Sequence, residues 1–222
     1  LYTSGTTGFP KGAMFSHKSH YHHALSLIAS AGGHADDVGV VVYPLFHTGG
    51  PDCLVLPHFL VGATLVILDG GDADAILEAT QRHKVTNIFC VPTIWRRLLT
   101  RLREQDYDVS SVQRCLGSSD TFPPDLLDEI LHCFDAEVYV TYGLTEAGCI
   151  LTVCRLSSRD RGKLGSVGRP MPPGELGLVD EPGRPTATGE VGQGVARTPA
   201  LMQSYWNMPE RTREALRDGR VH

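Results

Sequence analysis

No apolar run in this 222-residue chain approaches the roughly 18 to 20 residues of a membrane span. The first residues lack both the basic region and the apolar core of a secretory leader, so the expected setting is the cytoplasm. Blocks of like charge are also missing. The 20 Lys and Arg are interspersed with 25 Asp and Glu, for a formal net charge of −5, and no nucleic-acid surface is expected. No Cys-x-x-Cys pair occurs among Cys53, Cys90, Cys115, Cys133, Cys149 and Cys154. Reduced, buried thiols are therefore expected rather than a zinc site or a disulfide framework, and a facing pair Cys149 and Cys154 is the one alternative. Internal repeats and low-complexity tracts are absent too. What remains is ordinary globular composition, 41% hydrophobic and 20% charged, with the 24 Gly and 14 Pro of a turn-rich chain.

Over about the first 155 residues, apolar β-branched runs alternate with helical periodicity, which predicts an α/β fold with a mostly parallel sheet and flanking helices. Strands are expected at 38–43, 64–68, 87–91, 112–116 and 137–140. Helices are expected at 16–30, with Ser16 as N-cap and Gly32-Gly33 as the stop, at 72–83, from Pro92 onward, and from Pro123-Pro124 onward. After residue 158 short alternating runs replace long helices. The expected division is an α/β core over 1–158 and a smaller β-rich subdomain over 159–222, each partial.

Tyr2-Thr3-Ser4-Gly5-Thr6-Thr7-Gly8-Phe9-Pro10-Lys11-Gly12 concentrates glycines, hydroxyls and one lysine between a strand remnant and a helix. Glycines admit an anion to backbone N–H groups, hydroxyls add donors and Lys11 adds positive charge, so the string reads as a polyphosphate loop. Its spacing is not the Walker GxxxxGK[ST], which disfavours an ordinary P-loop NTPase.

The string resembles the phosphate loop of the AMP-forming adenylating enzymes, the superfamily of acyl-CoA synthetases, luciferases and peptide-synthetase adenylation domains. Further motifs follow in the family's order. Pro44-Leu45-Phe46-His47-Thr48-Gly49-Gly50 resembles the PLFHxGG of the branch activating fatty and aromatic acids, and implies that His47 orients or gates the substrate. Val91-Pro92 with Leu98-Leu99 resembles a VPxxxxxLL packing element. Gly117-Ser118-Ser119-Asp120-Thr121-Phe122 stands where relatives carry a Gly-Gly-Ala-Pro-like adenine loop. Thr141-Tyr142-Gly143-Leu144-Thr145-Glu146 resembles YGxTE. Gly165-Ser166-Val167-Gly168-Arg169-Pro170 resembles GSVGRP, and Val179-Asp180-Glu181 with Gly183-Arg184 a VDExGR hairpin. Thr198 and Ser204 stand where relatives usually have glycine, which is expected to restrict the backbone there.

The resemblance implies the following roles. Thr3, Ser4, Gly5, Thr6, Thr7, Gly8 and Lys11 bind the ATP phosphates, and Ser118, Ser119, Asp120, Thr141 and Gly143 bind the nucleotide. Tyr142 stacks on adenine, Thr145 touches the α-phosphate, and Glu146 holds Mg²⁺. Gly117, Gly143 and His47 border the acid, and Lys11, Thr145, Glu146 and His47 form the catalytic set. The implied reaction joins a fatty or aromatic carboxylic acid to AMP, releases pyrophosphate and passes the acyl group to coenzyme A. Transfer to a carrier-protein thiol, luciferase-like oxidation, a non-catalytic nucleotide-binding remnant and an unrelated phosphate-binding module are the alternatives. Relatives read DGWxHTGD where this chain reads Asp218-Gly219-Arg220-Val221-His222. A longer parent protein is therefore expected, with an upstream half and a C-terminal lid outside the chain. The histidines His17, His20, His22 and His23 spread over more than one helical face, so exposed or capping roles are expected rather than a metal site. Oligomeric state is not legible from the sequence.

Overall fold

The apolar runs form a twisted seven-stranded sheet in a computed structural model that describes residues 1–3, 9–157 and 162–222. In spatial order its strands are Thr64–Ile67, Val38–Val41, Asn87–Cys90, Arg114–Gly117, Glu137–Tyr142, Thr152–Leu156 and Arg169–Pro170. The first five run parallel, Thr152–Leu156 pairs antiparallel to the fifth, and Arg169–Pro170 pairs antiparallel to Thr152–Leu156. The expected α/β class with a mostly parallel sheet is what the chain adopts.

Helices cover both faces, which is why the central strands read as continuous apolar runs rather than alternating ones. Val40, Ile88, Cys115 and Val138 point to one face, where Ile76 and Leu77, Leu98 and Leu99, and Leu126, Leu127 and Ile130 pack from the helices Ala73–His83, Pro92–Glu104 and Pro124–Phe134. Their sequence neighbours Val41, Phe89, Leu116 and Tyr139 point to the other face, against Leu27 of the helix His17–Ala31 and Leu54. This is the period of two of a pleated strand. Trp95 is fully buried, and its Nε1–H donates to the Leu116 carbonyl at 3.1 Å. Its ring meets Phe134 edge-on at 5.5 Å.

Local signals place the helix ends. Ser16 and Ser19 exchange side-chain-to-backbone hydrogen bonds at 3.1 and 3.0 Å in a capping box, and Gly32 ends the helix at φ 78°. The Asp72 carboxylate accepts from the Ala75 N–H at 3.0 Å.

Other boundaries move for tertiary reasons. The strand expected at 137–140 runs to Tyr142, because Tyr142 pairs with Thr152 of a strand the motif reading did not single out. The strand expected at 112–116 begins at Arg114, after a turn closed by Val112 N–H on the Val109 carbonyl. An unforeseen helical stretch runs through Pro51–Val55, with π-type bonds such as Val55 N–H to Gly50 O, into the helix Leu56–Val61. Its two prolines and flanking glycines hide it from a propensity reading.

Residues 169–170 complete the large sheet from beyond residue 158. Glu175–Val179, Gln193–Arg197, Arg220–Val221 and Leu216–Arg217 form a separate antiparallel sheet. A third sheet joins the two ends of the chain. Tyr2–Thr3 pairs with Lys11–Met14, and Lys11–Met14 pairs with Ser204–Tyr205. The described flanks of the glycine-rich string are thus two antiparallel strands, so a strand, Lys11–Met14, and not directly a helix, follows it. No helix among the described residues is long and apolar enough to cross a membrane.

Candidate active site

The small sheet seats Tyr205 beside Lys11, and the two meet Glu146 from a third part of the chain. Tyr205 pairs with Ala13, its N–H donates to Thr212 Oγ1 at 2.9 Å, and the Trp206 N–H donates to the Gly12 carbonyl at 2.7 Å. Only 4% of Tyr205 is exposed. Lys11 Nζ donates to the Tyr205 hydroxyl at 3.2 Å and lies 4.6 Å from its ring centre. The same hydroxyl donates to Glu146 Oε1 at 2.5 Å. Burial, reinforced by the Glu146 carboxylate, pushes the Tyr205 phenol well above its ordinary range. It therefore stays protonated and bridges ammonium to carboxylate. Glu146 is fixed through its backbone, where its carbonyl accepts from the Met202 N–H at 2.8 Å. Lys11, Glu146, Tyr205, Arg211 and Glu214 line one open cavity of about 320 Å³.

A second cavity, about 370 Å³, is lined by Ser119, Asp120, Thr121, Tyr142, Gly143 and the turn Gly165 to Val167. Both cavities lie at the carboxyl ends of parallel strands, where open α/β sheets bind ligands. The segment 142–146 serves both: Tyr142 and Gly143 line one, Leu144 and Glu146 the other. Tyr142 is 46% exposed, available for stacking. Gly143 is required sterically, because a Cβ there would lie 1.8 Å from the Cys149 carbonyl oxygen. Gly117 makes room for Phe122, whose ring carbon would sit 2.1 Å from an added Cβ.

The remaining expected residues are distributed as follows. The Thr141 hydroxyl is buried and donates to the Gly117 carbonyl at 3.0 Å, tying two strand ends together. Ser118 is buried. Ser119 adopts a left-handed φ of 75°, which is uncommon for a non-glycine residue. Asp120 Oδ1 accepts from the Thr121 N–H at 2.7 Å. Thr145 opens a short 3₁₀ turn, and its carbonyl accepts from the Gly148 N–H at 3.0 Å. Thr3 pairs with Lys11. Ser4, Gly5, Thr6, Thr7 and Gly8 lie outside the described residues. His47 is exposed beside Phe46 and lines neither cavity; its Nδ1 accepts from the Gly49 N–H at 3.0 Å, which puts the proton of the neutral ring on Nε2. Neither Thr198 nor Ser204 adopts a left-handed backbone, so the expected restriction from lost glycine does not arise.

Two readings are corrected. His20 and His23 are neither capping nor free on the surface, because helical spacing turns both toward the fully buried Asp52. His20 Nδ1 lies 2.5 Å from Asp52 Oδ1, and His23 Nε2 accepts from the Ile150 N–H at 3.1 Å. Helix capping falls to Ser16 instead. Among the cysteines, Cys133 is exposed, and Cys149 faces Cys53 at 3.1 Å between sulfurs. Cys154 belongs to the main core.

Burial, opposed in part by Asp52, lowers the His23 pKa to about 4, so the ring is neutral in the fold. An unfolded histidine takes up its proton near 6.5. His23 therefore contributes stability that is complete above about pH 6.5 and drains away as pH falls toward 4. Urea midpoints at a series of pH values are expected to fall over that window, and to fall less in His23→Gln, which keeps an acceptor without titrating. Parallel curves for the two proteins would remove this role.

With that geometry in place, the comparisons identify the class. The family model of the AMP-binding enzymes matches residues 1–206, and the chain belongs to that family. It is 34% identical over 223 residues to a feruloyl-CoA synthase from Amycolatopsis sp, covering 100% of this chain and 45% of that protein. It is also 34% identical over 218 residues to an indoleacetate–CoA ligase from Aromatoleum aromaticum, covering 98% and 42%. The structure of o-succinylbenzoate coenzyme A synthetase from Bacillus subtilis in complex with ATP and magnesium ion superposes with a TM-score of 0.88 at 29% identity, covering 100% of this chain and 45% of that one. The chain thus spans about half the length of the curated relatives it matches.

Proposed function

We propose that this chain is the nucleotide-binding part of an AMP-forming acid–thiol ligase, which joins a carboxylic acid to AMP and then passes the acyl group to coenzyme A. The carrying observation is the convergence of Lys11 and Glu146 on the Tyr205 hydroxyl, Lys11 being the first residue of the strand that follows the glycine-rich string. An anion attacking the α-phosphate must approach other anions, so the demand on the protein is electrostatic rather than nucleophilic. Lys11 meets the phosphates with positive charge, and the glycines and hydroxyls that precede it in the sequence add donors. Tyr142 takes the adenine in the second cavity, with Ser119, Asp120 and Thr121 as its other wall and Ser118 buried behind them. His47 is assigned to the acid.

Magnesium suits the donors present. No cluster of three or more His, Cys, Asp or Glu occurs among the described residues. Of the two carboxylates that line the Lys11 cavity, Glu214 accepts from Arg211 at 2.9 Å, which leaves Glu146 as the hard donor for the ion, and Mg²⁺ is usually held by one or two carboxylates together with substrate phosphates. When bound, the ion neutralises phosphate charge as a Lewis acid. Tyr205 orients the Glu146 oxygen and keeps it apart from Lys11. Tyr205→Phe is expected to lower exchange activity about tenfold, the order of one hydrogen bond to a charged group. Titration of magnesium at fixed ATP should show the loss as a higher magnesium requirement, and an unchanged requirement would contradict the positioning role.

Substituted aromatic acids are the proposed substrates, since the feruloyl-CoA synthase and the indoleacetate–CoA ligase both carry aryl acids in their names. A fatty acid–[acyl-carrier-protein] ligase from Streptomyces coeruleorubidus is 30% identical over 229 residues, which keeps fatty acids and a carrier-protein acceptor as the second reading. The deciding experiment is ATP–pyrophosphate exchange by the full-length protein against a panel of aryl and fatty acids, followed by addition of coenzyme A or a carrier protein. Exchange dependent on an aryl acid, with thioester formed on coenzyme A, is expected. Intact MgATP binding with no exchange for any acid would instead identify a nucleotide-binding remnant.

A further inference from the structure

We propose that Cys53 and Cys149 form a modification site, a dithiol that hydrogen peroxide converts to a disulfide joining the helical stretch 51–61 to the loop that carries Glu146. The two sulfurs are 3.1 Å apart, about 1 Å more than a disulfide bond of roughly 2.0 Å. Both residues are held where they are. Cys149 has a left-handed φ of 107°, its N–H donates to the Leu144 carbonyl at 3.2 Å, and its own carbonyl presses on Gly143. The next residue, Ile150, is anchored by His23. Cys53 lies in the π-type turn and is 3% exposed.

The two thiols differ in access, which assigns their parts. Cys149 is partly exposed and Cys53 buried, so the oxidant reaches Cys149. Burial pushes the Cys53 thiol up, keeping it protonated until it is needed. In the first step the Cys149 sulfur attacks one peroxide oxygen. The O–O bond breaks, a sulfenic acid forms and water leaves. In the second step the Cys53 sulfur attacks the Cys149 sulfur, the S–O bond breaks, and the departing hydroxide takes the Cys53 proton as a second water. Cys90 and Cys115 are buried, and Cys133 is exposed on the helix Pro124–Phe134.

The test reads thiol chemistry, and so stands apart from any catalytic assignment. Wild type and Cys133→Ser, which removes the exposed thiol, are treated with about one equivalent of hydrogen peroxide. They are then unfolded in N-ethylmaleimide and digested without reduction. The expected product is a peptide linking Cys53 to Cys149, two hydrogens lighter than the separate peptides and released by dithiothreitol. It should be present in both proteins and absent from Cys149→Ser. Cys53 and Cys149 both recovered as alkylated thiols, in a sample where wild-type Cys133 is oxidised, would overturn the proposal. Cys149 recovered as sulfinic acid with Cys53 alkylated would overturn it equally.

Discussion

Lys11→Ala and Glu146→Ala are each expected to lower carboxylate-dependent ATP–pyrophosphate exchange by about 100- to 1,000-fold, the usual effect of removing one preorganised electrostatic group from a reacting site. The expectation rests on geometry. Both charges sit on the edge of one cavity, held by one buried phenol and by backbone hydrogen bonds from separate segments, so neither has to be reorganised when charge builds on the phosphates. Because both act through Tyr205, their effects should not multiply. The double variant is expected to lose much less than the product of the two single losses, as for residues working as a unit. Exchange that persists unchanged in both single variants would dismiss the site. Losses that multiply fully would keep the two residues but remove their coupling.

A second large effect is expected at the opposite end of the sheet, where nothing catalytic is proposed. Arg114 and Asp37 are 9% and 5% exposed and form an ion pair between their side chains. Arg114 Nε also donates to Asn87 Oδ1 at 2.7 Å, and the His58 Nδ1–H donates to the Leu54 carbonyl at 2.7 Å, with Asn87 next to the other ring nitrogen. Burial alone would raise the Asp37 pKa, but the His34 N–H, Arg114 and Thr86 together hold it below the usual value. Arg114→Met leaves that carboxylate buried without its counter-charge and is expected to cost about 3 to 5 kcal/mol, read from urea midpoints at pH 7. Adding Asp37→Asn to Arg114→Met should recover part of the loss.

The pH dependence has a definite sign. In the parent chain Asp37 contributes stability above its unfolded pKa near 3.9, and that contribution is lost as pH falls through the lower folded value. In Arg114→Met the buried carboxylate keeps only its hydrogen bonds from the His34 N–H and Thr86 against the cost of burial, so acid should cost this variant less than the parent. A loss below about 1 kcal/mol for Arg114→Met would mean that water reaches the pair.

Much of this architecture was legible because its causes are local. Ser16 with Ser19, the pair Gly32-Gly33, Asp72, and the prolines at 92 and 124 mark helix ends through bonds made within a few residues. Apolar strands two-deep between helices read as continuous runs for a reason of burial alone. The helical stretch at 51–61 was not legible, since two prolines and a π-type turn break the expected periodicity. The strand Thr152–Leu156 escaped notice because it is defined by its partner, Glu137–Tyr142, more than by its own composition. His20 and His23 were visible as neighbours on a helix. Their environment was not, because Asp52 reaches them from 32 and 29 positions away in the chain.

By itself the sequence determined the family, through motifs that include the glycine, hydroxyl and lysine string and the Tyr-Gly-Leu-Thr-Glu segment, and most of the helices and strands that carry them. These are contiguous motifs whose backbone demands are met within a turn or two. Tertiary structure alone decided which side chains act together. Tyr205 meets Glu146 across 59 positions and Lys11 across 194, and Cys53 meets Cys149 across 96. Each pairing follows from how sheets and helices pack, and no local rule relates residues that only the closing of the fold brings into contact.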